Sequence, residues 1–237
     1  MRLLPALLLM LLPSLAMAQD RTQFVLAISW QPAFCETRPN RPECESQVEG
    51  RFDAGHFALH GLWPQPRSRD YCGVDAKTVE ADESGDWADL PEPELSAELR
   101  RELNRVMPGT QSALDRHEWI KHGTCYLGDA ERYFQDSVDM LEAINASEVR
   151  DLFGASIGKE LTQAAVRATF DAAFGKGSGD RVRLACVEDG GRRLISDLTI
   201  GLTGEIAGPQ SFADRIMDAR PTDGGCDGGI VDPAGLQ

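Results

Sequence analysis

Hydrophobic and polar positions divide the chain into distinct stretches. The first is an apolar run from Leu3 to Leu15, broken only by Pro5, Pro13 and Ser14, with Arg2 the sole charge before Asp20. It ends in Ala16-Met17-Ala18, a small-x-small cleavage pattern. A spanning helix needs about 20 apolar residues, so the run is too short to be one. Residues 1–18 are expected to be a signal peptide that is removed, leaving residues 19–237 as a single domain. Gln23–Trp30 is rich in branched and aromatic residues and predicts a strand. A polar, proline-containing loop is expected over 31–49. His56–Trp63 predicts a second strand, with His56, Ala58 and His60 on one face and Phe57 and Leu59 on the other.

The acidic stretch Glu80–Glu94 predicts a solvated loop. Helical periodicity follows. Ser96 is placed to cap a helix running to Met107, with Leu99, Leu103 and Val106 on its apolar stripe. Arg116–His122 fits a short helix stopped by Gly123. Asp129–Ala146 is longer, with Tyr133, Phe134, Val138, Leu141 and Ile144 recurring on one face. Two further helices are predicted at 147–153 and 162–174. The glycine-rich turn 175–179 then leads to strands at 181–187 and 193–202. Strands at both ends around a helical middle predict an α+β domain with a central antiparallel β-sheet flanked by helices.

Six cysteines, at 35, 44, 72, 125, 186 and 226, lie beyond the export signal. An even count in that context predicts disulfides made in an oxidising compartment, periplasmic or extracellular. No C-x-x-C spacing offers a thiolate zinc cage. The net charge is −14, and loss of Arg2 makes it −15. Such a balance opposes a tight nucleic-acid binder, which carries basic patches. An enzyme that only touches nucleic acid transiently needs no more than a locally positive site.

All four histidines fall in two segments, His56-Phe-Ala-Leu-His60-Gly-Leu-Trp-Pro64 and His117-Glu-Trp-Ile-Lys-His-Gly-Thr-Cys125. Clustering of the side chains that titrate near neutrality points to a site. On a helix, Glu118, Lys121 and His122 share an arc of about 100°. His117 lies about 140° from His122 around the axis and reaches the same place only from the helix entrance. A zinc hydrolase helix carries two histidines four apart. Here the two are five apart and are not expected to chelate from one helical face. His56 is expected to be structural. Trp119 points away from the Glu118 face and is read as core.

These two segments resemble the active-site motifs of the ribonuclease T(2) family. VLAISWQPAFC at 25–35 is similar to that family's N-terminal strand and first cysteine, and TFDAAFGKGSGDRVRLAC at 169–186 to its C-terminal part, as in the bacterial ribonuclease I-like branch. The resemblance implies the family's fold and an endoribonuclease acting on single-stranded RNA without metal or cofactor, at low base specificity. Transesterification would give a 2′,3′-cyclic phosphate and then a 3′-phosphate. It assigns His122 as general base, His60 as general acid and His117 as a phosphate-positioning residue. Lys121 is the cation beside the developing charge, and Glu118 either polarises the imidazoles or shares a proton with a phosphate oxygen. Trp63 is either core or a stacking surface for a base. Gln65 departs from the acidic residue that follows HGLWP in some adenine-preferring members. The family's bridges imply Cys72–Cys125 and Cys186–Cys226, leaving Cys35–Cys44, although six cysteines allow 15 pairings. A monomer is expected. Two other classes compete: a non-catalytic, toxin-like secreted binding protein on the same fold, and a metal-dependent hydrolase.

Overall fold

The computed structural model describes residues 22–204 and 211–237. The expected signal peptide at 1–18 lies outside them. No helix among the described residues is long and apolar enough to cross a membrane. The strands are β1 (Phe24–Ser29), β2 (Ala58–Pro64), β3 (Glu160–Thr162), β4 (Val182–Asp189), β5 (Arg192–Leu202) and β6 (Gly228–Ile230). The helices are α1 (Gln31–Thr37), α2 (Pro42–Glu45), α3 (Ala76–Ser84), α4 (Ala97–Val106), α5 (Leu114–Lys121), α6 (Ala130–Asn145), α7 (Glu148–Ala155), α8 (Gln163–Phe174) and α9 (Phe212–Met217).

The sheet runs β2-β1-β5-β6-β3, with β4 also paired to β5. Its pairings are antiparallel, except that β6 joins β5 in parallel beside Leu194. This is the α+β architecture expected. Strand β5 is the hub, because β1, β4 and β6 all pair with it. The β4–β5 connection is the two-residue turn Gly190-Gly191, both with positive φ, as the twist of a tight hairpin requires.

Helix α6 starts where Asp129 accepts a hydrogen bond from the Arg132 N–H at 2.9 Å. It buries Tyr133, Phe134, Val138, Leu141 and Ile144, the stripe expected from its periodicity. Facing them are Leu26 and Ile28 of β1 and Leu59 and Leu62 of β2. Trp30, Phe57 and Phe153 close one end of this core, with ring centroids 4.6–5.6 Å apart. Ser96 caps α4 through the Leu99 N–H.

Two expected loops are partly helical. Within 31–49, α1 and α2 form, each with proline in its first turn, where a missing N–H costs nothing. Within 80–94, α3 continues to Ser84 and buries Asp82. The acidic composition hid a helix whose inward carboxylate has a partner. Three disulfides tie the chain: Cys35–Cys44, Cys72–Cys125 and Cys186–Cys226.

Candidate active site

Three histidines, a glutamate and a lysine meet where β2 faces the end of α5. His60 lies at an irregularity in β2: Ala27 of β1 pairs with Gly61 while Ile28 pairs with Leu59. His60 is therefore the extra residue of a bulge, and a bulge re-aims side chains. Three residues apart on an unbroken strand, His60 and Trp63 would point to opposite faces. Here their rings are 5.4 Å apart, edge to face.

Helix α5 supplies the opposite wall. Glu118 is 1 % exposed and accepts a hydrogen bond from Trp63 Nε1–H at 2.9 Å. Its other oxygen lies 3.8 Å from His60 Nε2. Glycine at 61 makes this approach possible, since a Cβ there would sit 1.9 Å from Glu118 Oε2. Tyr133 braces the strand, its hydroxyl donating to the Leu62 carbonyl at 3.0 Å. The helix ends at Lys121, so His122 is its C-cap residue, and its ring lies 5.7 Å from that of Trp63. The indole is thus in ring contact with both imidazoles.

His117 comes from one turn earlier, yet its ring centroid is 6.2 Å from that of His122. One ligand atom from each of His117, Glu118 and His122 lies within 4.8 Å of the others. The two histidines, five apart and not expected to chelate from one helical face, thus converge, with His117 reaching the same place as His122. That expectation assumed a continuous helix, whereas His122 is the terminal residue, at φ −110° and ψ −46°. The three are close enough to take a cation, although Glu118 is already engaged by Trp63.

Each imidazole also faces a carboxylate from elsewhere in the chain. Asp197 Oδ1 of β5 is 3.8 Å from His60 Nδ1. Asp82 of α3 bonds His117 Nδ1 at 2.8 Å, while Trp87 stacks on that ring at 4.3 Å. Asp70 lies 3.1 Å from His122 Nδ1, without the alignment of a hydrogen bond. The loop bearing Asp70 is pinned to α5 by Tyr71 N–H donating to the Lys121 carbonyl at 2.8 Å, and by the Cys72–Cys125 bridge. None of these three aspartates was singled out from the sequence. Asp82 was absorbed into an acidic run. Asp197 did leave a signal, as the lone carboxylate of its strand.

These surroundings drive the titrating groups apart. Burial acts to lower the His60 pKa, but the Asp197 and Glu118 carboxylates outweigh it and hold the pKa above 6.5. For His122, burial and then the charges of Lys121, His117 and His60 push it well below 6.5. His117 is also lowered, by burial first and against the pull of Asp82. Burial raises Glu118 to about 7. Lys121 bears on Glu118, Asp70, His117 and His122 alike. His56 stands apart, bonded to the Phe52 carbonyl at 3.0 Å and stacked on the Phe52 ring. Trp119 is half-buried and packs beside Tyr133, with ring centroids 6.0 Å apart.

Residues 21–212 match the model of the ribonuclease T2 family. The chain belongs to the ribonuclease T2 family. Ribonuclease I of Escherichia coli strain K12 is 29 % identical over 238 residues, covering 91 % of this chain and 88 % of that protein. Among solved structures, RNase NT in complex with 5′-AMP superposes with a TM-score of 0.57 at 18 % identity, covering 91 % of this chain and 99 % of the other. Human RNase T2 gives a TM-score of 0.55 at 17 % identity, covering 90 % and 98 %. These two likenesses concern the fold. Family membership makes this T2 ribonuclease an endoribonuclease of the bacterial ribonuclease I-like branch.

Proposed function

We propose that this endoribonuclease cleaves single-stranded RNA by metal-free acid–base transesterification, with His122 as base and His60 as acid. The observation that supports it is the opposite bias of two imidazoles that both approach one indole and one buried carboxylate. The base must be neutral, and burial beside Lys121 keeps His122 so. The acid must hold a proton, and two carboxylates keep it on His60.

In the reaction, His122 removes the 2′-hydroxyl proton and that oxygen attacks the adjacent phosphorus in line. The bond from phosphorus to the 5′-oxygen breaks as His60 gives that oxygen its proton. The product is a 2′,3′-cyclic phosphate. Water then opens it to a 3′-phosphate, with His60 as base and His122 as acid. On this reading Lys121 is the cation beside the charge that develops on the phosphorane, where it lowers the barrier, and His117 positions the phosphate. Trp63 gives its N–H to Glu118 and leaves part of its ring exposed, a surface on which a base can stack. The proposal extends to a single domain of residues 19–237, freed of the expected signal peptide and acting as a monomer in the periplasm or outside the cell, compartments in which its disulfides persist.

The second reading, a metal-dependent hydrolase, rests on the His117–Glu118–His122 cluster. One experiment separates them. A defined RNA with a single 2′-O-methyl linkage is digested in excess EDTA. The proposal expects full activity, cyclic phosphate ends and protection of the methylated linkage alone. Loss of activity to the chelator favours the metal reading, and cleavage at the methylated linkage rules out cyclisation.

A further inference from the structure

We infer that Asp197 is the positioning residue of the general acid, holding the His60 ring by Nδ1 so that Nε2 presents its proton to the leaving oxygen. The inference rests on the assignment of His60 proposed above and extends it to a residue outside both motifs.

Three observations carry it. First, the two ring nitrogens of His60 face different carboxylates, Nε2 toward Glu118 and Nδ1 toward Asp197, each at 3.8 Å. An imidazole flanked in this way has its ring plane and its protonation site set from behind, leaving the front nitrogen to the substrate. The separation is looser than a hydrogen bond, as catalytic contacts commonly are before substrate closes them. Second, Asp197 is itself aimed. The Ser29 hydroxyl donates to its Oδ1 at 2.8 Å, and Ser29 and Asp197 are paired across β1 and β5. Third, Asp197 is the one carboxylate of the hub strand and lies on its half-exposed face, 31 % exposed, where that strand meets His60. Its neighbours Leu194, Ile195, Leu198 and Ile200 are fully buried. Burial opposes its ionisation, and the groups that reverse this are His60 and the hydroxyls of Ser196 and Ser29. A carboxylate that ionises with His60 as its cationic partner is placed for that imidazole. The titrating groups around His60 are Asp197 from β5, Glu118 and His117 from α5, and His122 at its C-cap.

The test compares two substrates in Asp197→Asn and wild-type enzyme. One is a short unstructured RNA, whose 5′-oxygen leaves only when protonated. The other is a nucleoside 3′-(4-nitrophenyl phosphate), whose leaving phenolate needs no proton. Both need the base. If Asp197 serves the acid, Asp197→Asn loses about 10-fold or more in kcat/KM on RNA, with the alkaline limb of the profile moved to lower pH. It stays within about 3-fold on the nitrophenyl ester. Asp197→Glu restores part of the RNA activity. Equal loss on both substrates makes Asp197 a structural residue, and unchanged RNA cleavage makes it irrelevant; either overturns the inference. Should Asp197→Asn not fold, Ser29→Ala, which only frees the carboxylate, is compared on the same two substrates: selective loss on RNA supports the inference, and equal loss or no loss overturns it. His60→Ala is run beside it. Full RNA cleavage by His60→Ala sinks the assignment of the acid itself, whereas its loss with Asp197→Asn intact sinks only the positioning role.

Discussion

Gly61→Ala tests whether the close packing of β2 on α5 sets the site. The added methyl would sit 1.9 Å from Glu118 Oε2, 2.5 Å from Glu118 Cδ and 2.8 Å from Trp63 Nε1. Glu118 is the main obstacle, and relief requires its carboxylate end to swing away from Trp63. Overpacking of this kind costs about 1–3 kcal/mol. Pulling a buried carboxylate off its indole N–H adds roughly 1.5–3 kcal/mol. Alanine narrows the unfolded chain and returns about 0.4–1 kcal/mol. Gly61 has no positive φ, so no backbone strain enters. The net is a loss on the order of 1.5–5.5 kcal/mol, which for a chain of this size lowers Tm by roughly 3–20 °C. Displaced Glu118 also leaves His60 with one carboxylate, so kcat/KM on RNA falls by at least about 10-fold. Urea and thermal unfolding and initial rates on one preparation measure both. A variant with Tm within about 2 °C and activity within about 3-fold of wild type would show that the contact has no role.

Two further outcomes are expected. His60→Ala and His122→Ala each lose at least about 100-fold in kcat/KM on RNA, while His56→Ala, whose ring is occupied by Phe52, stays within a few-fold; initial rates on a defined RNA decide. The pH profile follows from the two shifts. The acid is protonated below its raised pKa and the base is neutral above its lowered pKa, so kcat/KM forms a plateau on the acid side of neutrality. It falls as pH rises through the macroscopic titration of His60 coupled to Glu118. An optimum above about pH 8, measured from pH 4 to 9, contradicts these shifts.

The residues that do the proposed chemistry were legible because they sit in two short segments. Glu118, Lys121 and His122 share a helix face, so arithmetic on one segment places them together. The supports were hidden for the opposite reason. Asp197 comes 137 positions after His60, and Asp82 comes 35 before His117. No periodicity links residues that only the tertiary fold brings together. Local pattern also misjudged two geometries. Alternation along β2 did not anticipate the bulge at His60, which depends on register with β1. Ideal helical angles kept His117 from His122, because the helix end, where the chain departs from those angles, falls on His122 itself. The composition of 80–94 likewise described its solvated side chains and missed the inward Asp82.

The place of β5 in the sheet bears on when the proposed site can be assembled. Every histidine of the site has left the ribosome's catalytic centre by residue 122, but the strand that joins β1, β4 and β6 is completed only at Leu202. Before then β1 and β2 can make no more than a two-stranded ribbon, which is marginal in water. The pairing of β5 with β1 spans some 170 residues, a contact that forms late and slowly. A nascent chain therefore contains all the imidazoles of the proposed site before the strand that unites their sheet exists. The frame that orders the proposed site is complete only with the last fifth of the polypeptide.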